Sequence, residues 1–290
     1  MPEVFRIVFN GLVLVFVLSS MFDLGLSLTL KEITAPLKNG SLIAKALIAN
    51  FVIAPLIAYL LIQVVGLAEP HAIGLTILAA AAGSPILAKL SKIAKGDLAY
   101  TVGLIVLLQV VTIVLAPALL TLLLENVEID ALAMLRTLVV TMLLPLIAGL
   151  FVKARYDEMA RKLSPYMSQA SSVTLMIQVA LGLLLGVGQL IALFGTGAIL
   201  AATLFAILTL ITGYFMGGPE QGGRIVTGLG TSQRSISASM LITIENFSDP
   251  AVLVMVITGA GLMMVINSLV AGEFGRRAGN AESRIESAST

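Results

Sequence analysis

The sequence predicts an all-α polytopic membrane protein that crosses the bilayer nine times. Three observations predict it. Of the 290 residues, 58% are hydrophobic and 11% are charged, with a mean hydropathy of +1.06, whereas soluble domains carry about a quarter charged residues. The apolar residues fall in successive runs of about 20, the length a helix needs to cross roughly 30 Å of hydrocarbon. A transmembrane barrel would show short alternating segments instead. Third, the basic residues sort into alternate connections, as membrane topology requires.

The first span is expected near residues 4–30. Arg6 before an apolar run resembles a signal peptide, but the run continues past Ser20 to Leu30, which predicts an uncleaved span. The others are expected near 42–65, 70–92, 97–124, 131–152, 170–193, 196–217, 222–244 and 250–272. Turn formers punctuate the connections, as in "GLAEP", "AKGD", "FGTG" and "GGPEQGG". The stretch "VKARYDEMARKLSPYMSQ" reads as an amphipathic surface helix interrupted by Pro165. Residues 1–280 then form a single transmembrane domain, and 281–290 a polar tail whose composition predicts disorder.

With the N-terminus outside, the inside connections hold Lys31, Lys38, Lys45, Lys89, Lys92, Lys95, Lys153, Arg155, Arg161, Lys162, Arg224, Arg276, Arg277 and Arg284. The outside connections hold Glu69, Glu125, Glu128, Asp130, Glu245 and Asp249, with no Lys or Arg. Of 17 basic residues, only Arg6, Arg136 and Arg234 fall elsewhere. This supports nine spans with a cytoplasmic C-terminus, in what is expected to be a bacterial inner membrane.

Two spans are broken at their centres. In the third, Gly83 is placed to end a half-helix, Ser84 to cap the next and Pro85 to start it. In the eighth, "GLGTSQRSIS" at 228–237 offers Gly228 and Gly230 as stops and Ser232 or Ser235 as the following cap. The breaks lie five spans apart, so they traverse the membrane in opposite directions, and similar entries follow them ("AKGDLA" and "NFSDPA"). That is the pattern of an inverted repeat with discontinuous helices. Non-helical backbone at membrane depth needs protein or water to satisfy it, so the breaks predict a shared site.

Arg234 lies ten residues after Arg224 and eleven before Glu245, roughly 15 Å from either surface. A charge there costs about 3 kcal/mol on insertion scales, and two readings supply its compensation. In one it forms an anion site with half-helix N-termini. In the other it has a partner inside the bundle: carbonyls freed by a break, or Asp23, the only deep acidic side chain. Lys89 is read as snorkelling to the inner surface. Gln109, Thr112, Ser171, Thr174, Gln178 and Asn267 are read as cavity lining or interhelical hydrogen-bonding groups. The chain has no cysteine and one histidine, His71, read as a loop residue at the outer interface. Disulfides, thiolate nucleophiles and histidine-pair metal centres are thereby excluded. No nucleophile–base pair points to an enzyme, and nothing points to nucleic acid.

"MFDLGLSLT", the "AKGD" between spans three and four, and the polar break around Gln233 together resemble the bile acid:sodium symporter family over about residues 20–270. The resemblance implies a core (42–124 and 196–272) holding two crossed discontinuous helices, packed on a panel (4–30, 131–152 and 170–193). It implies alternating access for a small organic anion, with sodium bound near the crossing. The family's Gln of the second crossing helix falls on Gln233, but its Glu falls on Leu229 and its Asn on Arg234. The Ser-Asn pair of the first crossing helix falls on Leu87 and Ala88, with Ser84 reached only by a shifted alignment. The two later hydroxyl positions fall on Thr101 and Ile105. Substrate contacts are therefore expected at Ser84, Thr231, Ser232, Gln233 and Arg234. A coupling Na+, if retained, is expected at Ser84, Thr101 and Gln233, with no other metal or cofactor. The guanidinium of Arg234 is expected to replace the charge that sodium supplies in relatives, giving a sodium-independent carrier. A sodium symporter with rearranged ligands, and a membrane sensor or subunit of a larger assembly, are the alternatives.

Overall fold

A computed structural model describes residues 3–34, 39–124, 129–185 and 193–289, all helix and connections with no strand among them. Six segments are long and apolar enough to cross a membrane: Ile7–Ser27, Gly40–Val65, Leu98–Leu123, Ala131–Arg155, Ala198–Met216 and Pro250–Asn280. The protein is an integral membrane protein. The remaining three predicted spans differ in kind: two are broken, and one is continuous with a polar segment.

The chain opens with α1 (Glu3–Ser27) and the short α2 (Leu30–Thr34). Next come α3 (Gly40–Ile48), a π turn (Ala49–Ile53) and α4 (Ala54–Val65) in one unbroken segment. The same construction recurs in α8 (Ala131–Leu138), a π turn (Val139–Leu143) and α9 (Leu144–Arg155). In both, "PLIA" follows, beginning at Pro55 and Pro145. A proline ring crowds the carbonyl four residues back and has no N–H to donate, and the widened turn accommodates both defects.

The first broken segment is α5 (Glu69–Ala80) and α6 (Leu87–Ile93), followed by α7 (Leu98–Leu123). His71 lies within the first turn of α5 and is only 8% exposed, not in a loop. Gly83 sits inside the extended stretch with φ +83°, and a Cβ there would lie 2.5 Å from the backbone N of Gln109. Its value is the close approach of α7 as much as the helix stop. Ser84 does not cap α6, for its hydroxyl has no partner. Its carbonyl instead accepts from Leu87 N–H at 3.1 Å across a turn at Pro85 and Ile86.

After α10 (Asp157–Leu185) and α11 (Ala198–Met216) comes the second broken segment, α12 (Gln221–Ser232) and α13 (Ile236–Asn246), then α14 (Pro250–Ser289). Helix α12 runs straight through Gly228 and Gly230 rather than ending there. A Cβ on Gly228 would lie 3.1 Å from Leu210 O, so this glycine serves contact with α11. Ser235, not Ser232, caps α13, accepting from Ala238 N–H.

Two further expectations are revised. Pro165 does not divide the polar segment from the sixth span, because α10 passes through it without interruption. A proline inside a helix forfeits one N–H bond and crowds the carbonyl four residues back, yet α10 is helical on both sides of Pro165. Residues 186–192, the end of that expected span, lie outside the described residues. The tail, expected to be disordered, continues α14 as helix through Ser289, where Ala, Glu and Arg favour helix.

Two sets of contacts stand out. Helix α1 lies against α9 and α10, close enough that a Cβ on Gly25 would come 2.8 Å from Gly149 Cα. Gln178 of α10 donates to Leu12 O at 2.7 Å. Elsewhere α11 packs on α12, α14 on α5, and α4 on both α5 and α11. A buried apolar cluster of Phe51, Leu87, Leu104, Leu108, Val226 and Leu229 ties both broken segments to α7 and the first π turn.

Gly83→Ala should destabilise by at least about 1 kcal/mol, since it adds a side chain at positive φ against neighbouring backbone. Gly40→Ala, with nothing within 4 Å of the new Cβ, should leave the melting temperature unchanged or slightly raised. Thermal melts in detergent compare the two.

Candidate functional site

The two breaks touch. Ser235 N–H, at the start of α13, donates to Ala81 O, at the end of α5, at 2.9 Å. Thr112 of α7 braces the first break from the side: its hydroxyl oxygen accepts from Ala82 N–H at 2.9 Å and donates to Ala82 O at 3.1 Å. Ala82 N–H and Ser235 N–H are thereby drawn away from the half-helices they would have continued, which leaves Thr231 O without a helical partner and Leu78 O with only a 3.3 Å bond from Ala81 N–H.

Arg234 takes them. Its side chain is fully buried. Nε donates to Leu78 O at 2.9 Å; Nη1 donates to Asn50 Oδ1 at 2.8 Å and Thr231 O at 3.1 Å; Nη2 donates to Asn50 O at 3.3 Å and to Ala79 O. A guanidinium has five N–H groups, and all of them are engaged. Leu78 O and Ala79 O close the last turn of α5, and Thr231 O the last turn of α12. The oxygen of Asn50 is free for another reason. The N–H four residues on, of Ala54, bonds Ala49 O across the π turn, and the residue after it, Pro55, has none. The Asn50 amide nitrogen is held in turn by Ala46 O at 2.9 Å and Thr231 Oγ1 at 3.2 Å.

Arg234 thus meets the C-terminal ends of the two first halves, whose dipoles favour a cation, not the N-terminal ends of the two second halves. Asp23 has other partners. It accepts from Ser164 Oγ of α10 at 2.6 Å, with Lys89 within electrostatic reach. An anion reaches this guanidinium only by displacing one of the oxygens around it.

The other expected residues divide. Thr231 joins Arg234 and Asn50, its hydroxyl donating to Thr227 O at 2.8 Å. Gln233 faces α14, where its Oε1 accepts from Asn267 Nδ2 at 3.1 Å. Ser232 turns to α11 and donates to Ala206 O at 2.8 Å. Thr101 donates to Asp97 O at 2.6 Å in the first turn of α7. Ser84 is buried at the first break with no partner, and the buried Gln109 Oε1, Asn267 Oδ1 and Ser239 Oγ are likewise unpaired. Beside the first break, Ala88 and Lys89 of α6 are exposed. Leaving a buried polar group unpaired costs about 1–3 kcal/mol, so these atoms are suited to a polar ligand or water.

Asn50 was not legible as a site residue from the motif pattern. Its signal is an amide in the middle of an apolar span with a proline five residues on, a combination that frees a carbonyl where a side-chain acceptor already stands.

Residues 12–193 match the sodium bile acid symporter family model, more than half of the chain. The chain belongs to that family. It is 23% identical over 283 residues to the probable sodium/metabolite cotransporter BASS1, chloroplastic, of Arabidopsis thaliana, covering 96% of this chain and 70% of that one. It is 22% identical over 196 residues to the probable sodium/metabolite cotransporter BASS3, chloroplastic, of the same plant, covering 67% of this chain and 46% of the relative. With the protein of that name from Oryza sativa subsp. japonica it shares 20% over 197 residues, 68% and 47% of the two chains. The chain spans about half the length of these last two relatives. As a member of the sodium bile acid symporter family built of apolar helices, it is a membrane transport protein.

Asn50→Leu removes an acceptor from a buried charge and should cost about 2 kcal/mol or more. With Arg234→Met in the background, the same change should cost much less. A double-mutant cycle in melting temperature should show coupling of at least about 1 kcal/mol, and additive effects would contradict the geometry.

Proposed function

We propose that this protein is a secondary transporter that moves a small organic anion by alternating access. The observation that carries the reading is the meeting of two interrupted helices at one buried point, since interrupted helices at membrane depth form the sites of such carriers. Family membership and the relatives' names, which speak of metabolite cotransport, point the same way. We read the two broken segments as single crossings, for nine in all, related as an inverted repeat. The separate packing of α1, α9 and α10 supports a panel against which the remaining helices move. The distribution of basic residues supports an outside N-terminus and a cytoplasmic C-terminus.

The preference for an anion follows from charge. Arg234 is buried at the crossing, and no described carboxylate bonds to it. The first N–H groups of α13 lack acceptors within their own helix. Ser84 brings an unpaired hydroxyl to the first break, and the Gln233–Asn267 pair brings an unpaired amide oxygen beside the second. We assign Ser84 and Gln233 to direct substrate contact. Arg234 and Thr231 act through the field and shape of the crossing, and Ser232 through its anchor on α11. The relatives' printed names favour a second reading, a sodium-coupled symporter.

Counterflow in proteoliposomes tests the carrier. Vesicles loaded with unlabelled mono- or dicarboxylates should transiently accumulate the labelled compound for at least one member of a chemically broad panel. A sensor or assembly subunit shows none, and no counterflow across the panel would overturn the reading. Ser84→Ala should raise the half-saturating concentration of an exchanged anion by about tenfold, the worth of one hydrogen bond to a charged group.

A further inference from the structure

Sodium is the coupling ion that the relatives' names imply, and the five oxygens gathered at the ends of α5 and α12 and at the first π turn already hold a cation, Arg234. Freed carbonyls and half-helix C-terminal ends are the groups that coordinate sodium in carriers built on broken helices. Here the carbonyls of Leu78, Ala79 and Thr231, with the main-chain and side-chain oxygens of Asn50, all accept from Arg234. The three expected coupling-ion residues make no hydrogen bond to one another. Thr101 is committed to Asp97 O, Gln233 Oε1 to Asn267, and only Ser84 is unpaired.

We propose that the guanidinium of Arg234 is a built-in cation occupying the coupling-ion position, so that the protein assembles its crossing without sodium. Every atom needed is present. The cage offers five neutral oxygens and the side chain five donors, so a single positive charge is solvated without a carboxylate. Neutral oxygens suit either a metal cation or a guanidinium, whereas a carboxylate beside Arg234 would cancel the charge. The cage is drawn from three parts of the chain: the π turn before α4, the end of α5 and the end of α12. A cation held there permanently joins these parts in the way a bound ion would join them reversibly. The cost of the substitution is control, because a tethered charge cannot leave, and the sodium gradient cannot drive the cycle through this position.

The inference rests on the crossing being the ion position of the carrier proposed above, but its test needs no substrate. The melting temperature of the purified protein is measured in sodium chloride and in potassium chloride at equal concentration. The two values should agree, and a sodium-specific rise would overturn the inference. Arg234→Ala should lower the melting temperature by roughly 5 °C or more. Millimolar guanidinium, well below denaturing concentrations, or sodium should then restore part of the loss, with choline and potassium as controls. A folded Arg234→Ala protein that loses no stability, or that neither cation restores, would show that the oxygens are not a cation site. If that variant does not fold, Arg234→Lys keeps the charge in place and should remain indifferent to sodium; sodium-specific stabilisation of it would overturn the inference. Failure of counterflow with normal ion indifference would instead count against the carrier reading alone.

Discussion

The burial of one positive charge organises the centre of this molecule. A guanidinium at membrane depth survives only if its donors are satisfied by protein, and Arg234 has no described carboxylate to help it. Four backbone carbonyls and the side-chain oxygen of Asn50 supply the acceptors, and a backbone carbonyl is available inside a membrane only where a helix has ended or bulged. The two broken helices and the proline-induced π turn are therefore parts of one arrangement. Each is a defect in its own segment and an acceptor for Arg234 in the assembled structure.

Mechanical consequences follow from where those acceptors lie. The cage binds α4's π turn to the ends of α5 and α12, while the Ser235–Ala81 bond and Thr112 fasten the breaks to one another and to α7. Opening the cage would expose a charge and several carbonyls at once. The contacts of α1 with α9 and α10 are of a different kind. Small residues and a few polar bonds hold a neighbouring layer, with Gln109 of α7 reaching Met21 Sδ of α1 at 3.3 Å.

Much of this was legible in the chain. The membrane class and the apolar helices follow from hydropathy and run length, and the breaks from Gly83-Ser84-Pro85 and the polar cluster at 231–235. Helix ends were less legible. Gly228 and Gly230 look like stops, yet α12 runs through them, because the same absence of Cβ that ends helices also admits a neighbouring backbone. Pro165 looks like a boundary, yet α10 passes it. Ser84 looks like a cap, yet its hydroxyl is unpaired. In each case local propensity named a residue that matters and tertiary contact chose what it does.

The sequence by itself determined that a cation stands within an apolar stretch and that some device must compensate it, since the cost of burying a charge is independent of how helices pack. It did not determine the device. Carbonyls freed within the bundle and an external anion are equivalent from the viewpoint of one span. Only the tertiary structure brings Asn50, 184 positions away in sequence, against Arg234 and turns the ends of α5 and α12 toward it. The orientation of a side chain among neighbours is a property of packing, which no single segment contains.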